Sequence, residues 1–199
     1  MKSNVCKIEN GTRDLEVILA ESQRVAEYNG LTHKQTLQLR LLCEEIDGML
    51  PNIIDEFDGD FWIEFADGEC RVNVSVTFHE FSVEKKEALI DVAKNKTNAA
   101  AVGIVGKIRS VVEDIFLNEE AMQLGAIPPQ SIYFGTGYSE GVDFSYIWSL
   151  EQYRSTVNKE EQEEAWDELE KSVIASVADD VIVGVKGKQA RITVVKKFA

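Results

Sequence analysis

The densest concentration of chemically capable groups is Leu41-Leu42-Cys43-Glu44-Glu45-Ile46-Asp47-Gly48-Met49-Leu50-Pro51-Asn52-Ile53-Ile54. A carboxylate such as Glu45 can polarise an attacking water by accepting its proton. On a helix the residue four positions later stands one turn on along the same face, and here that residue is Met49. Magnesium takes hard oxygen ligands, whereas a thioether is soft and weak. Asn52, about two turns beyond Glu45, is the nearest amide on a similar stripe and the candidate for a displaced oxygen ligand. Glu44 and Glu45 read equally well as ordinary acids on a helix surface.

Two further stretches carry candidate groups. The segment Ala99-Ala100-Ala101-Val102-Gly103-Ile104-Val105-Gly106-Lys107 has small residues that let a phosphate approach main-chain amides at a helix N-terminus, with the Lys107 cation close by. Close helix packing explains Gly103 and Gly106 without a ligand. His79 and Glu80, at the exit of an alternating run, could hydrogen-bond a base, although a histidine there is commonly a surface residue.

The elements that must position these groups follow from periodicity. Asp14 to Asn29 places Leu15, Ile18, Leu19, Val25 and Tyr28 near one helical face and stops at Gly30. Thr32 and Gln35 make a capping box. The box opens a long helix, predicted to reach Phe57 along Leu39, Leu42, Ile46, Met49 and Ile53, with a kink or restart around Gly48 and Pro51. Residues 61–65 and 71–78 read as strands joined by an Asp67-Gly68 turn, and residues 181–185 and 190–198 as a terminal hairpin. Val5 to Ile8 is a short strand. The stripe Trp166, Leu169, Val173 and Val177 predicts one helix with a solvated acidic face. The fold class is therefore α+β: a two-layer sandwich with helices on one face of a predominantly antiparallel sheet.

This element order resembles the GHKL superfamily, the ATPase fold of sensor histidine kinases, gyrase B subunits and anti-sigma-factor kinases. The 41–54 segment is similar to the family's N-box helix, and residues 179–197 to the last hairpin of the anti-sigma kinases. The resemblance implies that Glu45 matches the water-polarising acid and that Met49 replaces the magnesium-binding asparagine. It also implies an Asp-x-Gly-x-Gly after the second strand, where this chain has Val74 to Phe81 with neither aspartate nor glycine. The set assigned to a nucleotide is Glu45, Met49, Asn52, His79, Glu80, Gly103, Gly106 and Lys107, with Glu45 catalytic if the site is live. ATP and magnesium are the only cofactors implied, as weak ligands.

The chain has 199 residues, 44% hydrophobic and 28% charged, which fits one domain of residues 1–199 with an aromatic-rich insertion around 118–160. Its 35 acidic against 21 basic residues give a charge of −14, a field that repels nucleic acid and anionic membrane surfaces. Three widely spaced cysteines and two histidines suit neither a disulfide framework nor a structural zinc, so no metal ligands are assigned. The opening residues lack the apolar run of a signal peptide, and the expected location is the cytoplasm. Three functions are open: a regulatory, protein-binding GHKL-like module of bacterial type with an eroded ATP site, a divergent ATP-binding protein or anti-sigma-type serine kinase, and an unrelated α+β enzyme. A protein partner and a homodimer are the associations considered.

Overall fold

A computed structural model describes residues 1–10, 14–54, 56–78, 104–106, 108, 109, 111, 112, 146–156 and 172–198. Strand β1 (Cys6–Glu9) leads to helix α1 (Leu15–Tyr28), whose N-cap Asp14 accepts from the Val17 amide at 3.3 Å. Gly30, at φ +65°, turns the chain after α1. Helix α2 (His33–Ile53) then starts from the Thr32 and Gln35 capping box.

α2 runs through Pro51 as one helix and ends at Ile54, whose backbone is extended. The expected restart and the extension to Phe57 are both corrected: Phe57 opens strand β2 (Phe57–Ala66). Burial explains the continuity. Leu50, Ile53 and Ile54 are each at most 2% exposed, and the Ile54 amide donates to the Leu50 carbonyl at 2.9 Å, so packing holds the last turn despite proline's missing donor.

β2 pairs with β3 (Glu69–Phe78) through Asp67 and Gly68, at φ 51° and 77°, the two positive angles of a type I′ turn. Later come β4 (Tyr146–Ser149), α3 (Leu150–Thr156), α4 (Val173–Val177), β5 (Asp180–Lys186) and β6 (Gln189–Lys197). The sheet order is β1-β2-β3-β6-β5-β4, and every pairing is antiparallel. The α+β class and the shared sheet for the two hairpins accord with the sequence reading.

Residues 146–156, within the expected aromatic-rich insertion, include an edge strand of the sheet and the helix after it. One difference stands out. Ser172 is extended and its hydroxyl caps α4 through the Ala175 amide, so Val173 and Val177 belong to a separate short helix and not to one continuing from Trp166. Trp166 and Leu169 lie outside the described residues.

The core sits between the helices and one sheet face. Cys6, Phe61, Val74, Ile192, Val183 and Trp148 form a row across all six strands, one residue from each, and all are buried. Ile18 and Val25 of α1, and Leu39, Leu42, Cys43, Ile46, Met49, Leu50 and Ile53 of α2, complete the same cluster. On the opposite face Thr193 Oγ1 donates to Asn73 Oδ1 at 2.9 Å. Beside that pair the Trp62 ring is flanked by Lys2 Nζ at 4.8 Å and Arg191 at 5.4 Å from its centroid.

The first residues extend β1 with an irregularity. Lys2 stands opposite Glu64 and Cys6 opposite Phe61, four steps along one strand against three on the other, which places a β-bulge at Asn4 and Val5. Glu21 of α1 holds it: Asn4 donates its main-chain and side-chain N–H groups to the two carboxylate oxygens at 3.1 and 3.0 Å, and Arg24 pairs with the same carboxylate at 2.9 Å.

The three cysteines, all buried, give a pH prediction. Burial, with the Glu69 charge adding to it, pushes the Cys70 thiol up from 9.0 to about 12. Burial first, then Cys70, Glu44 and Cys6, holds the Cys43 thiol well above its ordinary range. The unfolded chain therefore loses thiol protons first as pH rises, and this contribution to stability is complete below about pH 9 and falls away toward pH 12. Urea midpoints across that window should drop, and aromatic disulfide reagents at pH 8 should label Cys43 and Cys70 only at the rate of global unfolding.

Candidate functional site

α2 contributes two stripes to the region of the 41–54 motif. Leu42, Ile46, Met49 and Ile53 face the core, with Met49 only 4% exposed. Glu45 is half-buried, while Gly48 and Asn52 are exposed, so these three define the outward stripe. Glu44 is drawn to one side by Arg40, whose Nε lies 3.4 Å from its Oε1 one turn back. Asp47, 5% exposed, belongs to the buried side of the helix.

The geometry separates the residues that the sequence groups together. Glu45 and Met49 are one turn apart, but Met49 turns its thioether into a hydrocarbon cluster. Glu45 and Asn52 share a stripe at a separation of about 10 Å along the helix axis. Oxygen ligands on opposite sides of one magnesium ion lie only about 4 Å apart. Asn52 is thus a poor replacement for an amide one turn from Glu45.

The stretch over 104–112 meets the C-terminal part of α2. Ile104, Ile108 and Val112 are buried in the common core, and Arg109 Nη1 donates to the Asn52 carbonyl oxygen at 3.2 Å. Gly106 is helical and buried, which agrees with the packing explanation of that glycine. His79, Glu80, Gly103 and Lys107 lie outside the described residues. Arg109 was not singled out in the sequence, because nothing in its local pattern indicates a carbonyl on another helix.

A depression of about 290 Å³ lies at the edge of the sheet, away from α2, lined by Lys7, Ile8, Glu9, Asp58 and Gly59. Among the described residues no group of three or more His, Cys, Asp or Glu side chains is arranged to hold a metal ion. No helix of the described residues is long and apolar enough to cross a membrane. No family model, curated protein or solved structure matches this chain.

Proposed function

We propose that the chain is a GHKL-like regulatory module that acts through protein contacts and has lost efficient magnesium-nucleotide chemistry. The observation that carries this reading is Met49: the residue one turn after the candidate acid Glu45 is 4% exposed and packed among aliphatic side chains. A thioether in that setting offers no hard oxygen to a cation. The order of elements supports the GHKL part, with two helices after the first strand, a hairpin, and a closing hairpin whose last strand returns beside β3. The amide Asn52 is too far along α2 to complete a compact ligand set with Glu45, which weighs against the divergent-kinase alternative.

Thermal unfolding with ATP or ADP at about 1 mM, with and without magnesium, tests the reading. A dissociation constant above that concentration adds less than about 0.4 kcal/mol, a shift of roughly 1 °C for a chain of this size. The expected result is a shift of that order, unchanged by magnesium. A magnesium-dependent shift of about 5 °C or more would overturn the proposal in favour of a divergent ATP-binding protein.

A further inference from the structure

The C-terminal end of α2 is made of poor helix formers and is held from outside the helix. Gly48 is helical and exposed, and a Cβ there would meet nothing within 4 Å, so no close contact requires glycine at that place. Three residues on, Pro51 brings no amide proton to the helix ladder. Glycine and proline are the two weakest helix formers, and both fall within residues 48–53. The last carbonyls of a helix lack partners inside it and carry partial negative charge, so a cation beside them is favourable. α2 has no basic residue in its last turn. The cation comes from 57 positions away, where Arg109 Nη1 donates to the Asn52 carbonyl oxygen at 3.2 Å. Ile104, Ile108 and Val112 are buried in the same core cluster as Leu50 and Ile53. The stretch that carries Arg109 thus shares a core with the end of α2 and supplies its terminal charge.

We propose that Arg109 is a latch: it couples the 104–112 stretch to a last turn of α2 that opens locally, with Gly48 and Pro51 as the weak link. With the guanidinium in place, α2 runs intact to Ile53 and keeps Asn52 on the outward stripe with Glu45. With it withdrawn, the turn loses its charged partner and opens beyond Gly48 more often. The capping box at Thr32 and the buried Leu39, Leu42, Cys43 and Ile46 hold the rest of the helix closed. A partner that displaces Arg109 therefore changes the order around Asn52, and by linkage a partner bound at the end of α2 acts back on Arg109. The latch requires no nucleotide and is independent of the GHKL reading.

Amide hydrogen exchange of the full chain, followed residue by residue by NMR, is the test. In the wild type the main-chain amides of Asn52, Ile53 and Ile54, corrected for intrinsic rates, should exchange at least about tenfold faster than those of Leu42, Cys43 and Ile46. Arg109→Met keeps an apolar stem and removes the charged donor, and should speed exchange at Asn52, Ile53 and Ile54 at least about threefold. Gly48→Ala strengthens the weak link and should slow the same three amides about fivefold. Ile18→Val weakens the core beneath α1 and should speed Leu42, Cys43 and Ile46 severalfold, yet leave Asn52, Ile53 and Ile54 within about twofold, because their opening leaves α1 in place. A merely structural role does not produce that separation. Exchange at Asn52, Ile53 and Ile54 that is no faster than at Leu42, indifferent to Arg109→Met or to Gly48→Ala, or raised by Ile18→Val as much as at Leu42 would overturn the proposal.

Discussion

Met49→Asn is expected to lower the stability of the chain by about 2–5 kcal/mol without creating magnesium-dependent ATP binding. Met49 is 4% exposed and shares the core with Leu42, Ile46, Leu50 and Ile53. The substitution removes a large apolar side chain, a loss in the range of buried large-to-small changes. It also introduces an amide with no polar neighbour assured on that face, and an unsatisfied buried amide costs about 1–3 kcal/mol within the same total. Met49→Leu conserves volume and should cost less than about 1.5 kcal/mol. Urea unfolding of the three proteins, paired with ATP titration, checks both parts. Gain of tight magnesium-dependent binding by Met49→Asn would mean that the side chain reaches a nucleotide site, as the resemblance to the GHKL superfamily implies for that position.

Gly59→Ala is expected to be severe for so small a change, at about 1–3 kcal/mol or more, and Gly59→Val worse still. A Cβ built on Gly59 collides with the Ser75 carbonyl oxygen and lies 2.9 Å from the Val76 Cα, both main-chain atoms of the neighbouring strand. Backbone cannot rotate away as a flexible side-chain tip can, so β2 and β3 would have to separate within an uninterrupted ladder. Gly48 is the control. A Cβ there meets nothing within 4 Å, and since alanine favours helix over glycine by about 1 kcal/mol, Gly48→Ala should stabilise. Equal midpoints for Gly59→Ala and wild type in urea would refute the close approach.

Both results turn on positions that look unremarkable in the sequence. Gly59, between Asp58 and Asp60, reads as a turn residue after a helix, and Phe57 reads as that helix's last apolar contact. Long-range pairing reverses both. Phe57 and Gly59 stand opposite Phe78 and Val76, and the hydrogen bonds of that ladder outweigh one more helical turn past Pro51. Glu45, Met49 and Asn52 were legible as a motif because helical spacing is local. Which side of α2 faced the core was open in the sequence, since Met49 belongs to the apolar stripe and to the Glu45 stripe at once.

Local chemistry alone determined the elements whose signals lie within a few residues. Asp14 and Thr32 start helices because their oxygens reach amides three positions on, and Asp67 with Gly68 reverses a strand because both residues tolerate positive φ. Alternation in β2 and β3, and the apolar runs of β5 and β6, likewise announced strands. The tertiary structure alone decided the strand order, the entry of Tyr146–Ser149 as an edge strand, the bulge at Asn4 and Val5, and the meeting of Arg109 with Asn52. It also set Lys7 and Glu9 on an edge strand of the sheet among the described residues, and Glu9 across from Asp58. The physical reason is range. Capping and turn energies act between near neighbours in the chain, whereas register and burial are settled by contacts between residues tens of positions apart, whose partners no local pattern encodes.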